Sequence, residues 1–247
     1  MKILLRLAYE GARYCGWQVQ KNGQSVQGAL CDAARIIYGS DVKITGCSRT
    51  DSGVHAREYY CTLETEASAP KIPTDRIPAA LNSELCEDIT VFSAEAVDDA
   101  FHARYDVKEK TYEYVFDNGT CRDPFLFGRA WHIPKRLDEI KMNEAAAAFV
   151  GEYDFSAFMS SGSSVTDTVR RVTCAEVIRQ GDKVIFRVSA NGFLYNMVRI
   201  MAGTLRDVSL GKIKSDGIKD VILSKKREMA GITAPADGLY LVKVVYN

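Results

Sequence analysis

The stretch richest in reactive groups in this 247-residue chain is Ser48-Arg49-Thr50-Asp51-Ser52-Gly53-Val54-His55. One carboxylate stands between a strand-like run and a glycine, flanked by Arg, Thr, Ser and His. Two readings fit. In one, Asp51 caps its own backbone as an Asx-turn and Gly53 supplies a positive φ. In the other, Asp51 is an ionised, reactive carboxylate kept charged by a cation such as Arg49. A lone carboxylate with no paired Glu or His suits nucleophilic work better than metal binding or a triad. Hydrolysis of a glycosidic bond normally asks for a second carboxylate about 5–10 Å away, and none adjoins the segment.

Other familiar chemistries lack their residues. The chain has no G-x-G-x-x-G, no Walker loop and no G-x-S-x-G elbow. Its three His (His55, His102 and His132) show no metal-binding spacing. The seven Cys are odd in number and widely spaced, which excludes a disulfide framework and the close pairs of a zinc site. Free thiols in a reducing cytoplasm are the expectation. The opening MKILLRLAYEG is too short and too charged for a signal peptide, and no apolar run approaches a membrane span. The expected setting is cytoplasmic, with no membrane partner.

These residues need a scaffold. Lys2 to Tyr9 reads as a strand, and Ser25 as the N-cap of a helix running to about Tyr38. Val42 to Gly46 and Glu58 to Glu64 read as strands either side of the Asp51 turn. A short helix near Ile77 to Asn82 and a strand from Ile89 to Ala94 follow. In the second half, Lys110 to Phe116 alternates as a strand and Leu137 to Val150 reads as a helix. Val172 to Arg179 and Lys183 to Ser189 read as a hairpin around Gln180-Gly181-Asp182. Helices over Leu194 to Val208 and Ser215 to Leu223 precede a closing strand, Leu239 to Val245. Each half approximates β-α-β-β-α-β. The expected fold is therefore α+β: two ferredoxin-like (split βαβ, RRM-like) halves around a largely antiparallel mixed central sheet with helices outside. The halves are placed at 1–105 and 106–247. Ser160 to Ser164 is the one low-complexity stretch, expected as a flexible loop.

Composition is that of a folded globular chain, 47% apolar and 26% charged, with a net charge of zero. The zero conceals a pattern. Residues 1–57 carry 8 basic and 4 acidic side chains, 58–100 carry 2 and 10, and 151–247 carry 14 and 10. Local potential, not the total, attracts a polyanion.

The Asp51 segment, SRTDSGVHA, resembles the G-R-T-D-x-G-V-H-A motif of pseudouridine synthases of the tRNA pseudouridine synthase A type. Further segments are similar to that family in the same order. They are Tyr14-Cys15-Gly16-Trp17-Gln18 with Ser25-Val26-Gln27, Ala80-Leu81-Asn82-Ser83 with Asp88-Ile89, and Phe101-His102-Ala103-Arg104 with Lys110-Thr111-Tyr112-Glu113-Tyr114. Asn196-Met197-Val198-Arg199 with Gly203-Thr204-Leu205, and Ala234-Pro235-Ala236 with Gly238-Leu239-Tyr240-Leu241, complete the series. Two positions depart from the pattern. Ser48 stands where the family has Gly, and Thr111 where many members have a second basic residue.

The resemblance implies a cofactor-free and metal-free isomerase, converting uridine to pseudouridine in the anticodon stem-loop of tRNA (positions 38 to 40) and acting as a homodimer. It implies Asp51 as the catalytic carboxylate and Arg199 as its salt-bridge partner. A cation is physically required there, because burial raises an Asp pKa and an opposite charge lowers it. Tyr112 is implied to stack on the uracil, its hydroxyl placed to help remove the C5 proton; the residues alone favour a strand aromatic packed in the core. Arg49 is a candidate to fill the gap left by a flipped base, or an ordinary surface Arg. Arg104, Lys108, Lys110, Arg170 and Arg171 are candidate phosphate contacts. A non-catalytic RNA-binding module and an Asp51-dependent nucleosidase are the competing functions.

Overall fold

Alternating burial sets the first strand of the computed structural model, which describes residues 2–21, 23–66, 70–162 and 165–246. In β1 (Lys2–Tyr9), Ile3, Leu5, Leu7 and Tyr9 point inward. Helix α1 (Val26–Tyr38) begins where the Ser25 hydroxyl accepts the Gly28 N–H at 3.1 Å, and it stops at Gly39 in the left-handed region. Its buried stripe is Val26, Leu30, Ala33, Ala34 and Tyr38. β2 (Lys43–Gly46) and β3 (His55–Glu64) pair antiparallel. β3 also pairs with β1, and β1 pairs with β4 (Ile89–Ala96). The order β4-β1-β3-β2, with α1 and α2 (Ile77–Asn82) as the crossovers, is the split βαβ arrangement. The Asp51 loop is the connection from β2 to β3.

Contacts divide the chain into two units, Met1–Lys108 with Leu241–Asn247, and Glu109–Tyr240. The sequence expectation put the whole closing strand in the second half. Most of β10 (Leu239–Val245) groups instead with the first unit. Hydrogen bonds explain the grouping: Lys108 N–H donates to the Val245 carbonyl at 2.9 Å, Val244 N–H to the Glu58 carboxylate at 3.0 Å, and the Tyr246 hydroxyl to the Ala103 carbonyl at 2.7 Å.

In the second unit β5 (Glu109–Asp117) pairs with β9 (Lys183–Ala190), β9 with β8 (Val169–Gln180), and β8 with β7 (Gly151–Asp154), all antiparallel. β6 (Trp131–His132) joins β5 in parallel. The hairpin turns at Gly181, φ +61°. Helices α3 (Glu139–Ala147), α4 (Met197–Ser209) and α5 (Ile218–Ser224) complete the unit, over a core containing Phe149, Phe155, Phe158 and Phe186.

Several boundaries differ from expectation, with β3 opening at His55, β8 at Val169 and α5 at Ile218. α3 starts at Glu139, where the Asp138 side chain accepts the Lys141 N–H at 3.1 Å. It ends at Ala147, short of the expected Val150, and Gly151, at φ +134°, opens β7. α4 starts at Met197, later than expected, because Asn196 is left-handed. β6 and β7, at two and four residues, are too short to reveal a period in the sequence. Of the serine-rich stretch, Ser163 and Ser164 lie outside the described residues.

Candidate active site

In the first unit, the segment from Tyr14 to Trp17 and the end of β1 meet the Asp51 loop. The Thr50 carbonyl accepts the Trp17 N–H at 3.1 Å, and the Thr50 hydroxyl bonds that of Tyr9 at 2.8 Å. The Tyr14 carbonyl accepts from Gly53 N–H and from the Ser52 hydroxyl, both at 3.3 Å. The turn closes through Val54 N–H to the Asp51 carbonyl at 3.1 Å, with Gly53 at φ +81°. Gly16, at φ +98°, presses its backbone on this turn; a Cβ there would land on the Thr50 carbonyl oxygen. Beneath lies an aromatic floor. Trp17 stacks on Tyr59 at 4.2 Å between centroids, and Tyr9 packs on Tyr59 at 5.5 Å. The Tyr59 hydroxyl donates to the Ser48 carbonyl, and burial drives its pKa well up, so it stays a neutral donor. Asp51 itself is half-buried and Arg49 is exposed.

One support of this loop comes from far along the chain. The Asp88 carboxylate accepts the Tyr14 hydroxyl at 2.6 Å and Arg13 Nε at 2.7 Å. Burial, reinforced by Asp88, pushes the Tyr14 pKa up and keeps the phenol protonated. Asn82 clamps Val91 of β4 through both ends of its carboxamide, at 2.8 and 2.9 Å. His55 is buried and accepts the Gly11 N–H at 3.0 Å, a structural bond.

In the second unit, Tyr112 lies on β5, 5% exposed, with its ring edge-to-face on Phe193 at 5.0 Å. Phe193 is a contact that the sequence reading did not single out. Arg199 lies in the first turn of α4. Its Nε donates to the Ala234 carbonyl and its Nη1 to Asn196 Oδ1, both at 2.7 Å. Ala234 N–H returns a bond to the Arg199 carbonyl at 3.1 Å. Tyr114 donates to the Pro235 carbonyl at 2.8 Å; burial raises its pKa strongly, against the opposing field of Arg199. The 196–205 and 231–238 segments are thus stitched together around the Arg199 guanidinium. Thr111 is spent on packing, its hydroxyl bonding Ser189 across the β5–β9 ladder at 2.8 Å.

The candidate phosphate contacts differ in kind. Arg104 is exposed, with its guanidinium 5.6 Å from the Tyr105 ring centroid. Lys108 and Arg171 are exposed and Lys110 is half-exposed. Arg170 turns back on its own loop, donating to the carbonyls of Asp167 at 3.0 Å and Val169 at 2.6 Å. Its Nη1 therefore braces the entry to β8. Asp51, Arg49 and Arg104 belong to the first unit, and Lys110, Tyr112, Arg170 and Arg199 to the second. Among the described residues, no group of three or more His, Cys, Asp or Glu is placed to hold a metal ion. None of the described helices is long and apolar enough to cross a membrane.

Comparison with known proteins gives a family. A family model described as tRNA pseudouridine synthase matches residues 7–106 and 145–247. A tRNA pseudouridine synthase A of Thermoanaerobacter sp. (strain X514) is 45% identical over 244 residues, 99% of each chain. The enzymes of that name from Caldicellulosiruptor saccharolyticus and Bacillus pumilus are 46% and 43% identical, covering 99% and 100% of each chain respectively. With both its Asp51 loop and its Arg199 turn inside the matched residues, this chain belongs to the tRNA pseudouridine synthase family.

Proposed function

We propose that this chain isomerises uridine to pseudouridine in the anticodon arm of tRNA, with Asp51 as the catalytic carboxylate. In that reaction the N1–C1′ bond breaks, the uracil turns in place and a C5–C1′ bond forms. The C5 proton leaves and N1 gains one, so no redox partner and no leaving group are involved. The carrying observation is the Asp51 loop: a half-buried carboxylate on a turn fixed from Gly16, Tyr14 and Tyr9, in a chain matched to the family over both motif-bearing segments.

Each proposed role has a physical reason. Asp51 must stay ionised in a site closed to water, and the Arg199 guanidinium supplies the required opposite charge. Tyr112 stacks on the uracil, its hydroxyl placed to assist loss of the C5 proton. Arg49 fills the space that the everted base vacates, since reaching C1′ requires unstacking at a cost of a few kcal/mol. Arg104 and Lys110 bind phosphate as exposed or half-exposed cations, and Arg170 braces its own loop. Two copies act as a pair in the cytoplasm, which lets a chain of zero net charge align its basic segments on the RNA.

The test is tritium release from unmodified tRNA carrying 5-tritiated uridine, followed by mapping of the modified positions. One tritium released per pseudouridine, confined to positions 38 to 40, is expected. Free uracil would indicate a nucleosidase instead. RNA bound without any release would indicate a binding module.

A further inference from the structure

Asn196 occupies the N-cap position of α4 yet does not cap it. An N-cap Asn normally accepts an N–H of the first turn with its side-chain oxygen. Here the backbone is left-handed, φ +60° and ψ +10°, one of two such non-glycine residues among those described, and the side chain makes no capping bond. The carboxamide is used elsewhere. Arg199 Nη1 can only donate, so Oδ1 must face it, at 2.7 Å. That orientation turns Nδ2 to the Ser160 hydroxyl, at 3.0 Å. Ser160 is in turn fixed by its own N–H, which donates to the Tyr195 carbonyl at 3.1 Å.

The helix therefore forgoes a cap and accepts an unfavourable backbone at one residue. What it gains is a second fixed point on a guanidinium already bonded at Nε by Ala234. Two bonds on adjacent nitrogens help to set the plane of the fork. Such fixing lets a charged group act without reorganising during reaction.

We propose that Asn196 is a positioning residue, setting the guanidinium plane of Arg199 for reaction and tying it through Ser160 to the loop before β8. The inference rests on the role given to Arg199 above.

The test measures single-turnover tritium release and tRNA Kd for wild type, N196G, S160A, R199K and N196G/R199K. Glycine takes the left-handed conformation freely, so N196G removes the carboxamide without removing the fold. N196G is expected to stay folded with Tm lowered by a few degrees, to keep the wild-type Kd and to release tritium about 10- to 100-fold more slowly. S160A is expected to slow release about threefold with Kd unchanged, a loss of one neutral hydrogen bond. In the R199K background the N196G change should cost less than about threefold, because a residue acting through Arg199 loses its effect with it. Wild-type release rates in N196G, or equal slowing in both backgrounds, would overturn the proposal. Absence of release from the wild type would instead overturn the proposed function.

Discussion

In the first unit, Asp51 sits on a turn gripped largely through backbone, by carbonyls and N–H groups of Tyr14, Trp17, Thr50 and Gly53, with Gly16 wedged against it. In the second unit, Arg199 is held by side-chain bonding, its fork reaching Ala234 and Asn196 and the latter reaching Ser160. A backbone grip fixes where a residue is and tolerates little change of shape. A side-chain grip fixes how a flexible cation is aimed and depends on polar atoms. The short Asp side chain needs only the first device, whereas the long Arg needs the second.

That contrast can be broken at graded cost. Gly16→Ala should do most damage, since φ +98° and the Thr50 carbonyl both oppose a Cβ. A loss of about 2–4 kcal/mol in chemical denaturation is expected, with tritium release falling in parallel. An unchanged midpoint would mean that the turn is not wedged. Asp88→Asn comes next. It weakens a charge-assisted bond to the largely buried Tyr14, with an expected cost of about 1.5–3 kcal/mol by the same assay.

The third prediction concerns pH in the second unit. Burial works to raise the Asp154 pKa, but bonds from the Thr168 hydroxyl, Lys225 and the Ser156 N–H outweigh it and hold the carboxylate well below its usual range. A depressed folded-state pKa stabilises above the unfolded value of about 3.9, and the contribution disappears as pH falls below it. Wild type should therefore exceed D154N in thermal stability at pH 7, and the gap should narrow progressively below about pH 4. A constant gap would place the effect in packing. The smallest effect is expected at Thr111. Thr111→Val strands the Ser189 hydroxyl at a cost of about 1 kcal/mol, and T111V/S189A should recover most of it. Calorimetric melting of the three proteins checks this.

Local signals in the sequence reached far. The Ser25 cap, the Gly53 turn and the hairpin around Gly181 depend on residues close in the chain, and the split βαβ reading of the first unit rests on the order of its elements. What escaped reading depends on distant partners. Asp88 acts on Arg13 from 75 residues away. Phe193, in the loop after β9, acts on Tyr112 of β5 from 81 residues away. The left-handed Asn196, bonded through its carboxamide to Ser160 and Arg199, is encoded by no helical period. The pairing proposed for Arg199 came from the family resemblance, because nothing in its spacing from Asp51 suggests it.

The most direct test is Asp51→Asn in single-turnover tritium release, read together with tRNA Kd. The substitution keeps the size of the side chain and removes its charge. Release is predicted to fall by at least about 1,000-fold, roughly 4 kcal/mol in the barrier, while Kd stays within about twofold. Release by D51N at the wild-type rate would contradict the assignment of the chemistry to this carboxylate.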